Sequence, residues 1–226
     1  MDSRKVVSRV IGALFLLGFI SYGVGFALVS SAIGAPDFLA TLPARQTALV
    51  FGAFLMLLSS VVDVGKGVLF SPILEKQGKR TALVYLATMI FEVVLLAIGV
   101  LCLLMIVPLA QQAIDAGPAS VGWARALGSL AVQSNTMAYQ IAEMSLSLGC
   151  VFLCSLLYRL RLIPRFLAVW GFLGYVILMA GTSAEVFGIH IGLMLSIPGG
   201  LFELAFGLWL LIKGFEPAAY ARAVAK

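Results

Sequence analysis

The chain has 226 residues, 62% of them hydrophobic and 11% charged, with a mean hydropathy of +1.10. Soluble domains are about 45–50% apolar and about 25% charged, so this chain has too little polar sequence to cover a soluble globule, and disorder, which needs few apolar residues, is excluded by the same numbers. A polytopic membrane protein remains: one span takes about 20 apolar residues to cross about 30 Å of hydrocarbon, so the chain holds six or seven spans and is expected to form a single membrane domain over residues 1–226.

The first predicted helix covers 8–30, behind Arg4, Lys5 and Arg9. A basic start, an apolar run and small residues at 32–35 imitate a signal peptide, but the run from Ile11 to Val29 exceeds the about 7–15 residues of a signal core and reads as a retained helix. The second helix, 47–73, follows Pro43 and Arg45 and is interrupted by Asp63 and Lys66. A polar turn from Glu75 to Arg80 leads into the third, 81–106, which carries Glu92 and is expected to end before Pro108. Residues 107–135 read as one long outer connection, with a short interfacial helix at 121–132 anchored by Trp123. The fourth helix spans 136–158 and contains Glu143. Arg159, Arg161, Pro164 and Arg165 make the next turn, before a fifth helix at 166–186. Gly188 and His190 mark a hairpin, and the sixth helix, 191–212, carries Glu203. The expected fold is all-α, a transmembrane bundle of six helices.

Basic residues orient the set. With the N-terminus cytoplasmic, the inner segments hold Arg4, Lys5, Arg9, Lys76, Lys79, Arg80, Arg159, Arg161, Arg165, Lys213, Arg222 and Lys226, and the outer segments hold only Arg45 and Arg125. Positive charge stays on the cytoplasmic side during insertion, so both termini are expected there. The net charge of +5 is spread between apolar runs, not gathered in a patch, and no nucleic-acid partner is expected. Cys102, Cys150 and Cys154 lie in apolar runs and read as reduced thiols. His190 is the single histidine, so neither a metal site nor a haem or other cofactor is expected.

Five ionisable residues stand where hydrocarbon should be: Asp63, Lys66, Glu92, Glu143 and Glu203. Each costs at least about 2.5–3.5 kcal/mol on insertion scales and needs a partner, a neutral form or water. Helical rise puts Glu92 about 16 Å in from one side and Glu203 about 18 Å in from the other, both near the midplane. Glu143 falls in the outer third of its predicted helix. Their neighbours at helical spacing form polar or small stripes. Helix two offers Ser59, Asp63 and Lys66, and helix three offers Tyr85, Thr88, Glu92 and Gly99. Helix four offers Thr136, Tyr139, Gln140, Glu143, Ser147, Cys150 and Cys154, and helix six offers Ser196, Gly199, Gly200, Glu203 and Gly207. The stripes are expected to converge. Asp63 and Lys66, three apart, can pair within their helix. Four acids against one lysine would leave a charge of about −3, which a low-dielectric interior does not hold, so at least two of the three glutamates are expected to be neutral at pH 7.

The expected function follows from that cluster. A lipophilic small molecule, an isoprenoid or a lipid, binds in a cavity where Glu92, Glu203, Asp63 and Glu143 supply acid–base chemistry. Lys66, Tyr85, Tyr139 and Phe206 contact the substrate, the aromatic faces being suited to a cation. A proton-coupled transporter and a non-catalytic structural or accessory protein are the alternatives. Membrane lipids are the expected partners.

Three stretches carry a family resemblance: Arg9-Val10-Ile11-Gly12 at the first helix, the run from Leu156 to Gly171 with Arg159, Arg161, Pro164, Arg165 and Trp170, and Phe202-Glu203-Leu204 followed by Leu208 to Phe215. In these the chain resembles a bacterial membrane family catalogued as a domain of unknown function, number 4386. The resemblance implies a helical bundle in a bacterial inner (plasma) membrane and no established activity. Members commonly carry an arginine a few residues before the glutamate of helix three, where this chain reads Ala87-Thr88-Met89-Ile90-Phe91. If that arginine serves Glu92, this protein must neutralise the carboxyl otherwise, with Lys66 as the candidate.

Overall fold

The computed structural model describes residues 3–35, 37–75, 79–117 and 121–224. Among them are eight helices and no strand: α1 (Ser3–Ile33), α2 (Phe38–Glu75), α3 (Lys79–Leu104), α4 (Ile106–Asp115), α5 (Val121–Leu160), α6 (Arg165–Val186), α7 (Gly192–Ile212) and α8 (Pro217–Val224). Six helical spans are long and apolar enough to cross a membrane, with α3 and α4 counting as one. Lys76, Gln77 and Gly78 of the expected turn, and Lys226 of the tail, lie outside the described residues.

The spanning helices close into a ring. Each of α1, α2, α3, α5, α6 and α7 packs on its predecessor, and α7 returns to α1. Glycine sets the tightest approaches. A Cβ on Gly25 would stand 2.7 Å from the Gly52 carbonyl oxygen and the reverse holds too, so α1 and α2 touch backbone to backbone; Gly12 against Gly207 does the same for α1 and α7. Small residues permit this proximity, on which helix association in lipid depends. Ser8 accepts a hydrogen bond from the Phe215 N–H (3.1 Å), and Arg4 donates to the Phe215 carbonyl. Both termini therefore stand at one end of the bundle, called here the termini end.

Three boundaries differ from the sequence reading, each for a local reason. Helix α2 begins at Phe38, not at residue 47, and carries Pro43 inside it. Helix three does not stop before Pro108. It breaks at Met105, because Pro108 has no N–H for the Leu104 carbonyl, and resumes as α4. The expected outer connection is largely helix: α5 starts at Val121, so the short interfacial helix and the fourth span are one element of 40 residues. About 60 Å of helix is twice the hydrocarbon thickness, so its first turns stand beyond the core. They are held by the start of α2: Arg125 pairs with Asp37, and Gly128 seats the Phe38 ring. Phe38, Leu42, Leu49, Val100, Leu103, Ile106 and Ala110 form a small second core at this far end.

The main core fills the termini end with rings. Phe15 meets Phe206 edge-on at 5.0 Å, Phe202 stacks on Phe206 at 5.4 Å, and Phe70 lies against Phe206, Tyr85 and Phe215. Beyond this layer, toward the far end, the interior turns polar.

Candidate functional site

Asp63 and Lys66 on α2, Glu92 on α3, Glu143 on α5 and Glu203 on α7 line one cavity of about 210 Å³. Every spanning helix contributes to its wall: Gly18, Tyr22 and Gly23 from α1, Ser59 from α2, Leu96 from α3, Tyr139 and Leu146 from α5, Leu178 from α6, and Ser196, Gly199 and Gly200 from α7. Glu92 is the fourteenth of 26 residues in its helix and Glu203 the twelfth of 21, so both stand at mid-helix. Glu143, the twenty-third of 40 residues in α5, lines the same cavity.

Asp63, Lys66 and Glu92 are between 2 and 6% exposed. Lys66 pairs with Asp63 one turn away, and its Nζ also stands 4.5 Å from the centroid of the Phe15 ring. The lysine's direct partner is thus Asp63, and it shares the cavity with Glu92. Glu203 Oε1 accepts a hydrogen bond from the Tyr175 hydroxyl at 2.8 Å. Glu92 Oε2 is buried with no hydrogen-bond partner, as are Gln140 Oε1 and Ser147 Oγ. Buried polar atoms are nearly always satisfied, so this carboxyl oxygen stands out beside the cavity.

The cavity has a mouth. Helices α1 and α7 touch at Gly12 and Gly207, but further along α1 a Cβ on Gly23 would meet nothing within 4 Å. Phe19, 39% exposed, lines the cavity beside Gly23, and its ring lies 3.4 Å from where a Cβ on Gly200 would stand. The opening therefore lies on the outer surface of the bundle, between α1 and α7.

A second cavity of about 340 Å³ adjoins it toward the far end, lined by Asn135, Gln140, Thr182, Glu185 and Gly192 among others. Tyr22, Tyr139, Leu178 and Ser196 border both. The Tyr22 and Tyr139 rings stack at 5.5 Å and form part of the partition. At the far rim Glu185 accepts from the Gly192 N–H (2.7 Å) and pairs with His190 (3.0 Å), closing the α6–α7 hairpin.

The stripes expected on helices two, three, four and six do meet. Tyr85 and Phe206 do not join them. Tyr85 packs edge-on to Phe70, and Phe206 lies between Phe15, Phe70 and Phe202, both inside the aromatic core. The sequence reading passed over α1 and Tyr175. Tyr22 carries a hydroxyl four residues after Gly18, in the uncharged middle of α1, and Tyr175 shares one face of α6 with Gly171, Leu178 and Thr182, so helical spacing held the signal for both.

The profile of the family described as Domain of unknown function (DUF4386) matches residues 10–214, nearly the whole chain. The chain belongs to that family. No curated protein and no solved structure matches it. This DUF4386 protein is accordingly a membrane-spanning helical bundle whose family name carries no chemistry, and its function has to be argued from the cavity.

Proposed function

We propose that the acidic cavity takes the polar head of a lipophilic molecule, an isoprenoid or a lipid, whose tail remains in the bilayer, and that its carboxyl groups exchange a proton with that head. The observation that carries this reading is the gathering of four carboxyl groups from four different helices around one cavity with a lateral mouth. Each carboxyl costs several kcal/mol to place there, and an apolar residue would cost nothing, so the cluster answers a requirement other than stability. A volume of about 210 Å³ is below the about 300–1,000 Å³ of sites that enclose a whole drug-sized ligand, which favours a head group alone. Lys66 is engaged by Asp63, leaving Glu92, Glu143 and Glu203 to meet a hydroxyl or amine. A neutral carboxyl can protonate an alkene or a leaving group while a neighbour accepts a proton, and the stacked Tyr22 and Tyr139 rings offer a face to developing positive charge. Both termini on the cytoplasmic side of a bacterial inner membrane would turn the second cavity outward, as a route by which water delivers protons.

That second cavity also favours a further reading, proton-coupled transport, in which midplane carboxyls carry the coupling proton. One variant series addresses both. Glu92→Gln and Glu203→Gln keep size and hydrogen bonding but cannot ionise. If the reading holds, lipid extracts of cells carrying the wild-type chain contain a species that the variants lack, and proteoliposomes show no proton-linked flux. Flux that disappears in both variants, with unchanged lipids, selects transport. If neither lipid composition nor flux responds to the variants, the site has no such role.

A further inference from the structure

At the termini end, a cavity of about 520 Å³ unrelated to the acidic site lies between the α5–α6 turn, the end of α7 and the start of α8. Arg4, Arg161, Arg165 and Lys213 line it, with Trp209 in its wall and Glu216 as its one acid. Topology alone needs basic residues in this segment, but it does not need them to share a hollow. They share it because the chain is shaped to that end. Arg161 adopts a left-handed backbone conformation (φ 55°), which reverses the chain after α5, and the Glu216 N–H bonds the Leu162 carbonyl at 2.9 Å, bringing the α7–α8 link onto the turn.

Arg161, Arg165 and Lys213 form no ion pair among the described residues; Arg165 lies over the Tyr158 ring at 5.2 Å. Arg161, Arg165 and Lys213 against Glu216 leave a formal charge of about +2 in this hollow. The N-terminus of α6, the positive end of its dipole, opens on the same hollow, and no side chain caps it. The surroundings are those of a membrane boundary. Trp209 has the amphipathic ring that favours head-group depth. Phe166, next to Arg165, and Ile212, next to Lys213, are 67% and 73% exposed on helices that face lipid.

We propose that this cavity binds the phosphate of an anionic phospholipid, held by Arg161, Arg165 and Lys213 beside Trp209, with the acyl chains running along Phe166 and Ile212. Basic pockets between transmembrane helices at a membrane surface recognise such head groups. Inorganic phosphate offers the same anion without the chains, so the test separates the two.

The full chain, purified in a neutral detergent, is titrated with phosphatidylglycerol, phosphatidylcholine or inorganic phosphate, and bound lipid is counted by native mass spectrometry alongside thermal stability. Phosphatidylglycerol is expected to remain bound and raise the melting temperature, and the other two are not. Arg161→Gln with Arg165→Gln is expected to weaken retention by about tenfold or more. Lys5→Gln with Arg9→Gln removes the same charge outside the cavity and is expected to change it by less than about twofold. Lys213→Gln, on an exposed side chain, serves as the independent variant should the double arginine change impair folding, and is expected to lower retention on its own. Equal losses in the two double variants would reduce the effect to general attraction and overturn the proposal. Protection by inorganic phosphate as strong as by phosphatidylglycerol would also overturn it.

Discussion

Two adjacent layers of one bundle are built on opposite terms. In the layer nearer the termini, Phe15, Phe70, Phe202, Phe206 and Phe215 fill the ring of helices with edge-on and stacked contacts. One helical turn away, the same helices carry Lys66 four residues before Phe70 and Glu203 three before Phe206. In lipid there is little hydrophobic gain from bringing helices together, so close packing and interhelical hydrogen bonds have to hold them. The aromatic layer supplies that packing and closes the ring. The polar layer can then keep a cavity and unspent carboxyl oxygen, because the layer beneath it fixes the helices. Close packing and the polar cavity occupy neighbouring turns, and substitution should separate their effects.

The largest separation is expected from Phe206→Ala. Its side chain is fully buried among three other rings, and truncating a buried phenylalanine costs about 3–5 kcal/mol. Thermal unfolding in detergent should show that loss, while Glu92→Gln, one layer away, should leave the transition nearly in place. If the glutamate variant unfolds more readily than the phenylalanine variant, the division of labour is wrong.

A somewhat smaller effect sharpens the polar side of the contrast. Lys66→Met leaves Asp63 buried without its cation, and breaking a buried pair from one side costs about 3 kcal/mol. Adding Asp63→Asn removes the orphaned charge, so the double variant should recover most of that loss. A double variant as unstable as Lys66→Met would show that the lysine matters through packing on Phe15, not through its charge.

Much of this was legible in the sequence, and the remainder was hidden for identifiable reasons. Six spans and the meeting of Asp63, Lys66, Glu92, Glu143 and Glu203 follow from hydropathy and helical spacing, because an ionisable group in lipid has few places to point. The continuity of α5 was not legible: helices at 121–132 and from 136 are expected, but Ser134 and Asn135 argue against helix between them, and the contacts with Phe38 and Asp37 that hold the first turns in place are tertiary. Tyr85 and Phe206 were misplaced because helical spacing names a face but not a depth: each lies on the interior face of its helix, one or two turns from the cavity, in the aromatic layer. The partition by Tyr22 needed α1, which has no charge in its middle to draw notice.

The finest test lies on the border between the layers. Tyr175 packs edge-on to Phe202 at 5.8 Å with its ring and donates to Glu203 with its hydroxyl, so one side chain belongs to both. Tyr175→Phe keeps the ring and deletes the donor; Glu203→Gln keeps an acceptor and removes the acid. Hydrogen bonds between transmembrane helices are worth about 0.6 kcal/mol on average and about 1.7 at most, because the separated helices also find partners. A double-mutant cycle on thermal stability should therefore give a coupling in that range. The same Tyr175→Phe variant should disturb whatever lipid or flux signal depends on Glu203 far more than it disturbs folding, since the hydroxyl orients the carboxyl that faces the cavity. A coupling of several kcal/mol would instead make Glu203 a structural clamp, and its place among the acids of the cavity would then be a consequence of packing.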